Sequence, residues 1–235
     1  MTPQEQPPRP EAFWGYQDLA YFVSFTFLSA VASTILVAIL HIHSVVVRVM
    51  LLQMFLYVFV LGSLYVIFHL RYRQPFLRAL GIRLPDKFAW VFAFSGPVLA
   101  IALGLIGTLL RAPQIQLPFQ DFLQAPLATA ALGVLVVLLG PFCEELVFRG
   151  FLMPLLVRSL TAVPGIFAAA LLFGCMHGPE YQWSWRHVLM ISLAGVAFGY
   201  ARQYARSTTT AFLMHSTFNL TQFAAFVFSQ QTTRW

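Results

Sequence analysis

The sequence predicts an all-α fold, a polytopic membrane helical bundle with about seven transmembrane helices (six to eight). The composition is the first reason: 59% of the 235 residues are hydrophobic and 9% are charged, whereas roughly 25% of a typical soluble domain is charged. The second reason is that the apolar runs are continuous and lack the alternation of barrel strands. Because backbone groups in lipid must be satisfied within the segment, these runs are predicted to be helices.

Seven apolar segments can be assigned in chain order, since a span needs about 20 mostly apolar residues. They cover residues 19–40, 50–70, 88–110, 127–148, 163–177, 187–200 and 208–228. Residues 1–18 form a polar N-terminal segment without the features of a signal peptide, so the first span is interpreted as a retained anchor. The length favours a single membrane domain, 1–235.

The basic residues are distributed unequally between the two ends of the predicted bundle. One end would carry ten of them: Arg9, Arg71, Arg73, Arg78, Arg83, Lys87, Arg149, Arg158, Arg202 and Arg206. The other end would carry four: Arg48, Arg111, Arg186 and Arg234. The positive-inside rule therefore predicts a multi-pass protein with a cytoplasmic N-terminus, and we expect a bacterial inner membrane. The net charge of +6 then indicates contact with anionic membrane lipids and no nucleic-acid partner.

Two adjacent carboxylates lie in the middle of the fourth apolar segment. The chain has only eight acidic residues, and two of them are Glu144 and Glu145. A charged side chain at the centre of a bilayer costs roughly 2.5–3.5 kcal/mol or more, so an intramembrane carboxylate indicates a functional site with a partner. The spacing of Glu145 and Arg149 predicts an ion pair on one helix face, which leaves Glu144 facing elsewhere.

His177 is predicted to lie level with Glu144. A turn is expected at 159–164, where SLTAVP contains polar and helix-breaking residues. Glu144 lies about 16 residues before this turn and His177 about 16 after it, so an antiparallel hairpin brings both to the same depth. His215 and Asn219 share a helix face. A carboxylate can take a proton from water, and histidine and asparagine can stabilise an oxyanion. The same polar side chains could instead only hold helices together.

At these residues the sequence resembles the CPBP family of intramembrane proteases, which includes type II CAAX prenyl endopeptidases and bacteriocin self-immunity proteins. Three motifs in order carry the resemblance: EELVFR at 144–149, FGCMH at 173–177 and HSTFN at 215–219. The resemblance implies an endopeptidase whose catalytic helices span 125–228 and whose site opens to the cytoplasm. The implied catalytic residues are Glu144, His177, His215 and Asn219. The implied supporting residues are Glu145, Arg149 and Phe173.

The resemblance leaves the metal and the substrate open. The sequence favours no firmly bound metal, and a Zn²⁺ site formed by Glu144, His177 and His215 stays the alternative, because two histidines and a glutamate form known catalytic zinc sites. The expected partner is a peptide or protein substrate that can be membrane-anchored; prenylated CaaX proteins are the eukaryotic case. A non-catalytic immunity or scaffold protein that binds a partner in the same cavity is the alternative function. A proton-coupled transporter that uses Glu144 is a third hypothesis, although no internal repeat supports it.

Overall fold

The computed structural model describes residues 13–115, 122–123 and 125–232. Residues 1–12 of the predicted polar segment, and the cations Arg9 and Arg234, lie outside the described residues. Within them the secondary structure is helical and includes no strand. The predicted all-α fold class is confirmed.

Eight α-helices follow one another in the described residues. They are α1 (Tyr16–Ile39), α2 (Val45–Arg71), α3 (Phe76–Ala79), α4 (Lys87–Leu109), α5 (Pro126–Leu160), α6 (Ala162–Met176), α7 (Trp185–Ala205) and α8 (Thr208–Thr232). All except the short α3 correspond to the seven predicted apolar segments. Four of them, α1, α2, α4 and α5, are long and apolar enough to cross a membrane. The chain is a multi-pass membrane protein, and the number of seven spans stays a prediction.

Helix α5 is much longer than its predicted apolar segment and contains two π-helical stretches. It has 35 residues, or roughly 50 Å, which exceeds a hydrocarbon core of about 30 Å. The π-helical stretches are Leu135–Leu139 and Leu146–Leu152, and they enclose Glu144 and Glu145. Each precedes a proline by two residues, Pro141 and Pro154. Because proline has no N–H and clashes with the preceding turn, a change of helical register before it is the expected accommodation.

The predicted turn at 159–164 is present. Helix α5 ends at Leu160, and Thr161 adopts a left-handed φ of 69° before α6 begins. Gly165 allows the two helices to approach closely, since a Cβ at this position would lie 2.6 Å from the backbone nitrogen of Val157. Helices α5 and α6 therefore form the antiparallel hairpin that the distance argument requires.

One end of the bundle contains the basic loop 71–87, the α5–α6 turn and the start of α8; we call it the basic end. Thr208 binds this loop, because its hydroxyl donates to the carbonyl of Leu80 at 2.6 Å and its N–H to that of Gly81 at 2.8 Å. The start of α1 also lies here, since Tyr16 donates to Ser159 at 2.7 Å. The helix directions place residues 40–44, 110–115 and 177–184 at the opposite end of the bundle.

Two apolar clusters hold the helices around α5 and α8. The first packs α1, α2 and the loop after α3 against the second half of α5, with Trp14, Phe22, Val60, Leu64, Ile67, Phe68, Leu80, Leu146, Phe151 and Leu155 buried. The second joins α4, α7 and α8, with Leu103, Ala194, Phe198, Ala201, Ala211 and Met214 buried. Helix α4 packs along α8, and α6 packs along α7. The polar part of α8 is thereby held against the middle of α5.

Candidate active site

The Glu145–Arg149 ion pair lies at the centre of the protein. Arg149 Nη1 donates to Glu145 Oε1 at 2.9 Å, and its Nη2 donates to the carbonyl of Gly195 at 2.9 Å. The two side chains are 0% and 2% exposed, and the guanidinium lies over the rings of Phe173 and Phe198. The predicted ion pair is present. The inclusion of Arg149 among the surface cations is wrong, because pairing and burial keep its guanidinium away from the lipid headgroups.

His215 connects the two carboxylates. Its Nδ1 lies 2.9 Å from Glu145 Oε1, and its Nε2 lies 3.9 Å from Glu144 Oε2. Since the ion-paired carboxylate of Glu145 can only accept, Nδ1 carries the proton and Nε2 is left to face Glu144. The ring is stacked on Phe198 with centroids 4.4 Å apart. Glu145 therefore fixes the orientation of His215 as well as binding Arg149, which its spacing alone did not predict.

His177 is positioned by the end of α6. Its Nδ1 lies 2.9 Å from the carbonyl oxygen of Phe173, one turn earlier. A carbonyl only accepts, so Nδ1 is the protonated nitrogen and Nε2 is the one left for the cavity. The Phe173 ring contacts both imidazoles, at centroid distances of 4.7 Å to His177 and 5.8 Å to His215. Phe173 thus packs between the two histidines and the guanidinium of Arg149.

Asn219 binds the first π-helical stretch of α5. The N–H of Gly140 donates to the carbonyl of Leu135, five residues earlier. In this register the carbonyl of Val136 would need an N–H at position 141, which is a proline. The side-chain Nδ2 of Asn219 supplies the missing donor at 2.8 Å. One of its two N–H groups is therefore used structurally, and the other is left for a ligand.

The four implied catalytic residues line one cavity of about 800 Å³. Glu144, His177, His215 and Asn219 come from α5, the end of α6 and α8. The side chain of Glu144 is 23% exposed, whereas that of Glu145 is 0% exposed. A volume of this size is typical of ligand pockets. Glu144 is the carboxylate of the pair that a ligand in the cavity can reach.

The sequence reasoning missed several residues of this cavity. These are Tyr57 and Gln53 from α2, Glu180 from the loop after α6, and His187 from α7; Tyr181, next to Glu180, also lines the cavity. Glu180 lies in the loop after α6, and His187 lies in the first turn of α7. Glu180 and His187 follow the FGCMH motif closely in the sequence, and this could have indicated that they line the site. Tyr57 lies far from all three motifs in the sequence, so no pattern around it indicated the site. Burial and the charge of Glu180 raise the pKa of Tyr181, so its phenol stays neutral.

The cavity extends towards the end of the bundle opposite the basic end. Residues 111–115 border it there, together with Glu180, Tyr181 and His187, and we call these residues the mouth. The cytoplasmic N-terminus and the opening of the site to the cytoplasm stay predictions; the mouth and the basic loop lie at opposite ends of the bundle. The mouth lies at this end because α5 and α8 present their site residues to the half of the bundle opposite the basic loop.

The structure gives limited support for a bound metal ion. No group of three or more His, Cys, Asp or Glu side chains is arranged to hold a metal anywhere in residues 13–115, 122–123 and 125–232. Glu144 and the two histidine Nε2 atoms lie on the same cavity, but they do not form such a group in this conformation. In this arrangement the side chains of the described residues do not fit the alternative Zn²⁺ site.

A comparison with protein families agrees with the motifs. Residues 126–221 match the family model described as type II CAAX prenyl endopeptidase Rce1-like. No curated protein and no solved structure matches the chain. The matched residues include all three motifs and run from the start of α5 into α8. The match supports the family predicted from the motifs: residues 126–221 are similar to the type II CAAX prenyl endopeptidase Rce1-like family.

Proposed function

We propose that this protein is an intramembrane endopeptidase in which Glu144 activates water to hydrolyse a peptide bond of a membrane-associated peptide or protein. The family supports a CAAX-type endopeptidase in general terms. The observation that carries the detailed proposal is the position of Glu144. Its partly exposed carboxylate faces a cavity that also holds two imidazoles and an amide.

The reaction can be written with the groups that line the cavity. Glu144 takes a proton from water, and the hydroxide oxygen forms a bond to the carbonyl carbon of the substrate. The resulting oxyanion accepts hydrogen bonds from nearby donors. When the intermediate collapses, the C–N bond breaks and the leaving amine takes the proton from Glu144. The products are a carboxylic acid and an amine, the acid then passes its proton to the amine or to water, and Glu144 is ionised again.

The hydrogen bonds of the site decide which groups can serve as oxyanion donors. The second Nδ2 hydrogen of Asn219 is available in every protonation state. His215 can donate from Nε2 only when its ring is protonated, because its other N–H is bound to Glu145. The same condition holds for His177, whose Nδ1 is bound to Phe173. The neutral histidines instead offer Nε2 as an acceptor, which suits the orientation of the attacking water.

The proposal is tested by a cleavage assay on purified protein in detergent or liposomes. Pools of peptides, with and without a lipid anchor, are incubated with the parent protein and with Glu144→Ala. We expect specific cleavage products from the parent and none from the variant. Binding of peptides without cleavage would contradict the proposal and favour a non-catalytic immunity or scaffold protein. Products that persist in Glu144→Ala would exclude Glu144 as the base.

The substrate is expected to approach from the side of the membrane opposite the basic loop. The cation distribution predicts that the basic end faces the cytoplasm, and the mouth lies at the other end. Single cysteines can test this in a background without Cys143 and Cys175. Gln114→Cys should react with an impermeant maleimide in intact cells, and Arg78→Cys should react only after permeabilisation. The reverse pattern would place the mouth in the cytoplasm and the N-terminus outside.

A further inference from the structure

We propose that Tyr57 is a positioning residue of the same site: its phenol hydroxyl donates a hydrogen bond to Glu144 Oε1. The inference rests on the proposed function and extends the site into α2, outside the matched residues 126–221. None of the three motifs contains this residue.

The evidence for proximity comes from Gly140, in the turn before Glu144. A Cβ at position 140 would lie 3.0 Å from the hydroxyl oxygen of Tyr57 and 3.7 Å from Glu144 Oε1. The two oxygens therefore border the same small space. No direct hydrogen bond joins them in this conformation, so the proposed bond requires a rotation of one of the two side chains. The glycine leaves room for the phenol beside the carboxylate.

The two oxygens of Glu144 then have different partners. Oε2 faces Nε2 of His215 at 3.9 Å, while Oε1 lies on the side of Gly140 and Tyr57. A partly buried carboxylate is destabilised unless hydrogen-bond donors replace the water that it loses. A hydroxyl at Oε1 would supply a donor and fix the rotation of the carboxyl group, so that the other lone pairs point at a water in the cavity.

The next turn of α2 supports the phenol. Gln53 lies four residues before Tyr57 on the same helix face and lines the same cavity. Helix α2 is otherwise apolar in its cavity-facing part, so this amide–phenol pair is the polar part of its contribution. We infer that α2 is required for catalysis because it orients Glu144.

The first test is enzymatic. Tyr57→Phe removes one oxygen and keeps the ring, so we expect kcat to fall by about tenfold to a hundredfold, the equivalent of a hydrogen bond to a charged group, with KM little changed. Tyr65→Phe, at an exposed position of the same helix outside the cavity, is the matched control and should keep the parent kcat. An unchanged kcat in Tyr57→Phe, or a change in KM alone, would overturn the positioning role.

The second test does not require activity. Unfolding stability is measured for Tyr57→Phe, Glu144→Ala and the double variant. If the hydroxyl binds the carboxylate, Tyr57→Phe should cost much less stability in the Glu144→Ala background than in the parent. If the effects of the two substitutions on unfolding stability are additive, the hydrogen bond is refuted, whatever the cleavage assay shows. A parent protein that cleaves no peptide while the two substitutions remain coupled would refute the proposed function and the positioning role, but leave the contact in place.

Discussion

Glu144 and Glu145 are neighbours in the chain, but they lie in different surroundings. Glu145 is fully buried and binds Arg149 and His215, each at 2.9 Å. Glu144 is partly exposed to the cavity and has His215 Nε2 at 3.9 Å. Consecutive helical residues point about 100° apart, which is enough to direct one carboxylate into the core and the other into the cavity. The comparison suggests that one carboxylate stabilises the site and the other reacts in it.

The largest expected effect on stability is that of removing the partner of Glu145. Arg149→Ala leaves a buried carboxylate without its counter-charge and a free carbonyl at Gly195. Breaking a buried ion pair typically costs about 3–5 kcal/mol, so we expect a large loss of folded protein, measured by chemical or thermal unfolding in detergent. Arg78→Ala, which removes an exposed arginine of the basic loop, is the control. Equal stability of the two variants would contradict the structural role of the ion pair.

A smaller loss of stability is expected when the hydrogen bond between α8 and α5 is removed. Asn219→Ala removes the donor to the Val136 carbonyl, which Pro141 cannot replace. An unsatisfied buried acceptor costs about 1–3 kcal/mol, and loss of an oxyanion donor lowers kcat by roughly 10²–10³-fold. Both changes should therefore be seen, in unfolding and in the cleavage assay. Gln222→Ala, an exposed amide on the same helix, serves as the stability control. Loss of activity with unchanged stability would show that the bond to Val136 is unimportant.

Removal of divalent metals is expected to leave the rate of cleavage unchanged. If Glu144 acts as a base on water, protein treated with a chelator and desalted should retain its rate of cleavage. A zinc endopeptidase treated in parallel shows that the treatment works. The reason is that Glu144, His177 and His215 can hold one water by hydrogen bonds. A stoichiometric metal whose removal abolishes cleavage, with recovery on its return, would make Glu144 a ligand instead.

The sequence predicted those features of the fold and of the site that depend on short-range spacing. The apolar runs predicted the helices, the i, i+4 spacing predicted the Glu145–Arg149 ion pair, and the turn at 159–164 predicted the α5–α6 hairpin. The three motifs identified the family. Each helix, ion pair, hairpin and single motif involves residues on one helix only, or on two helices joined by a short turn.

Long-range contacts explain what the sequence did not predict. The donor to the Val136 carbonyl is Asn219, which is 83 residues away, so Pro141 alone could not indicate how its helix is stabilised. Tyr57 reaches the site because α2 packs against the middle of α5. The end of the bundle at which the mouth lies depends on several helices together, and the cation count carries no information on it.

The most direct test of the division between the two carboxylates compares Glu144→Gln with Glu145→Gln. Both substitutions remove one negative charge and keep the side-chain volume. For each variant, cleavage rate and thermal unfolding are measured on the same purified preparation. We predict that Glu144→Gln unfolds like the parent and does not cleave, whereas Glu145→Gln is strongly destabilised, because Arg149 loses its buried counter-charge. A stable Glu145→Gln together with an active Glu144→Gln would contradict the account.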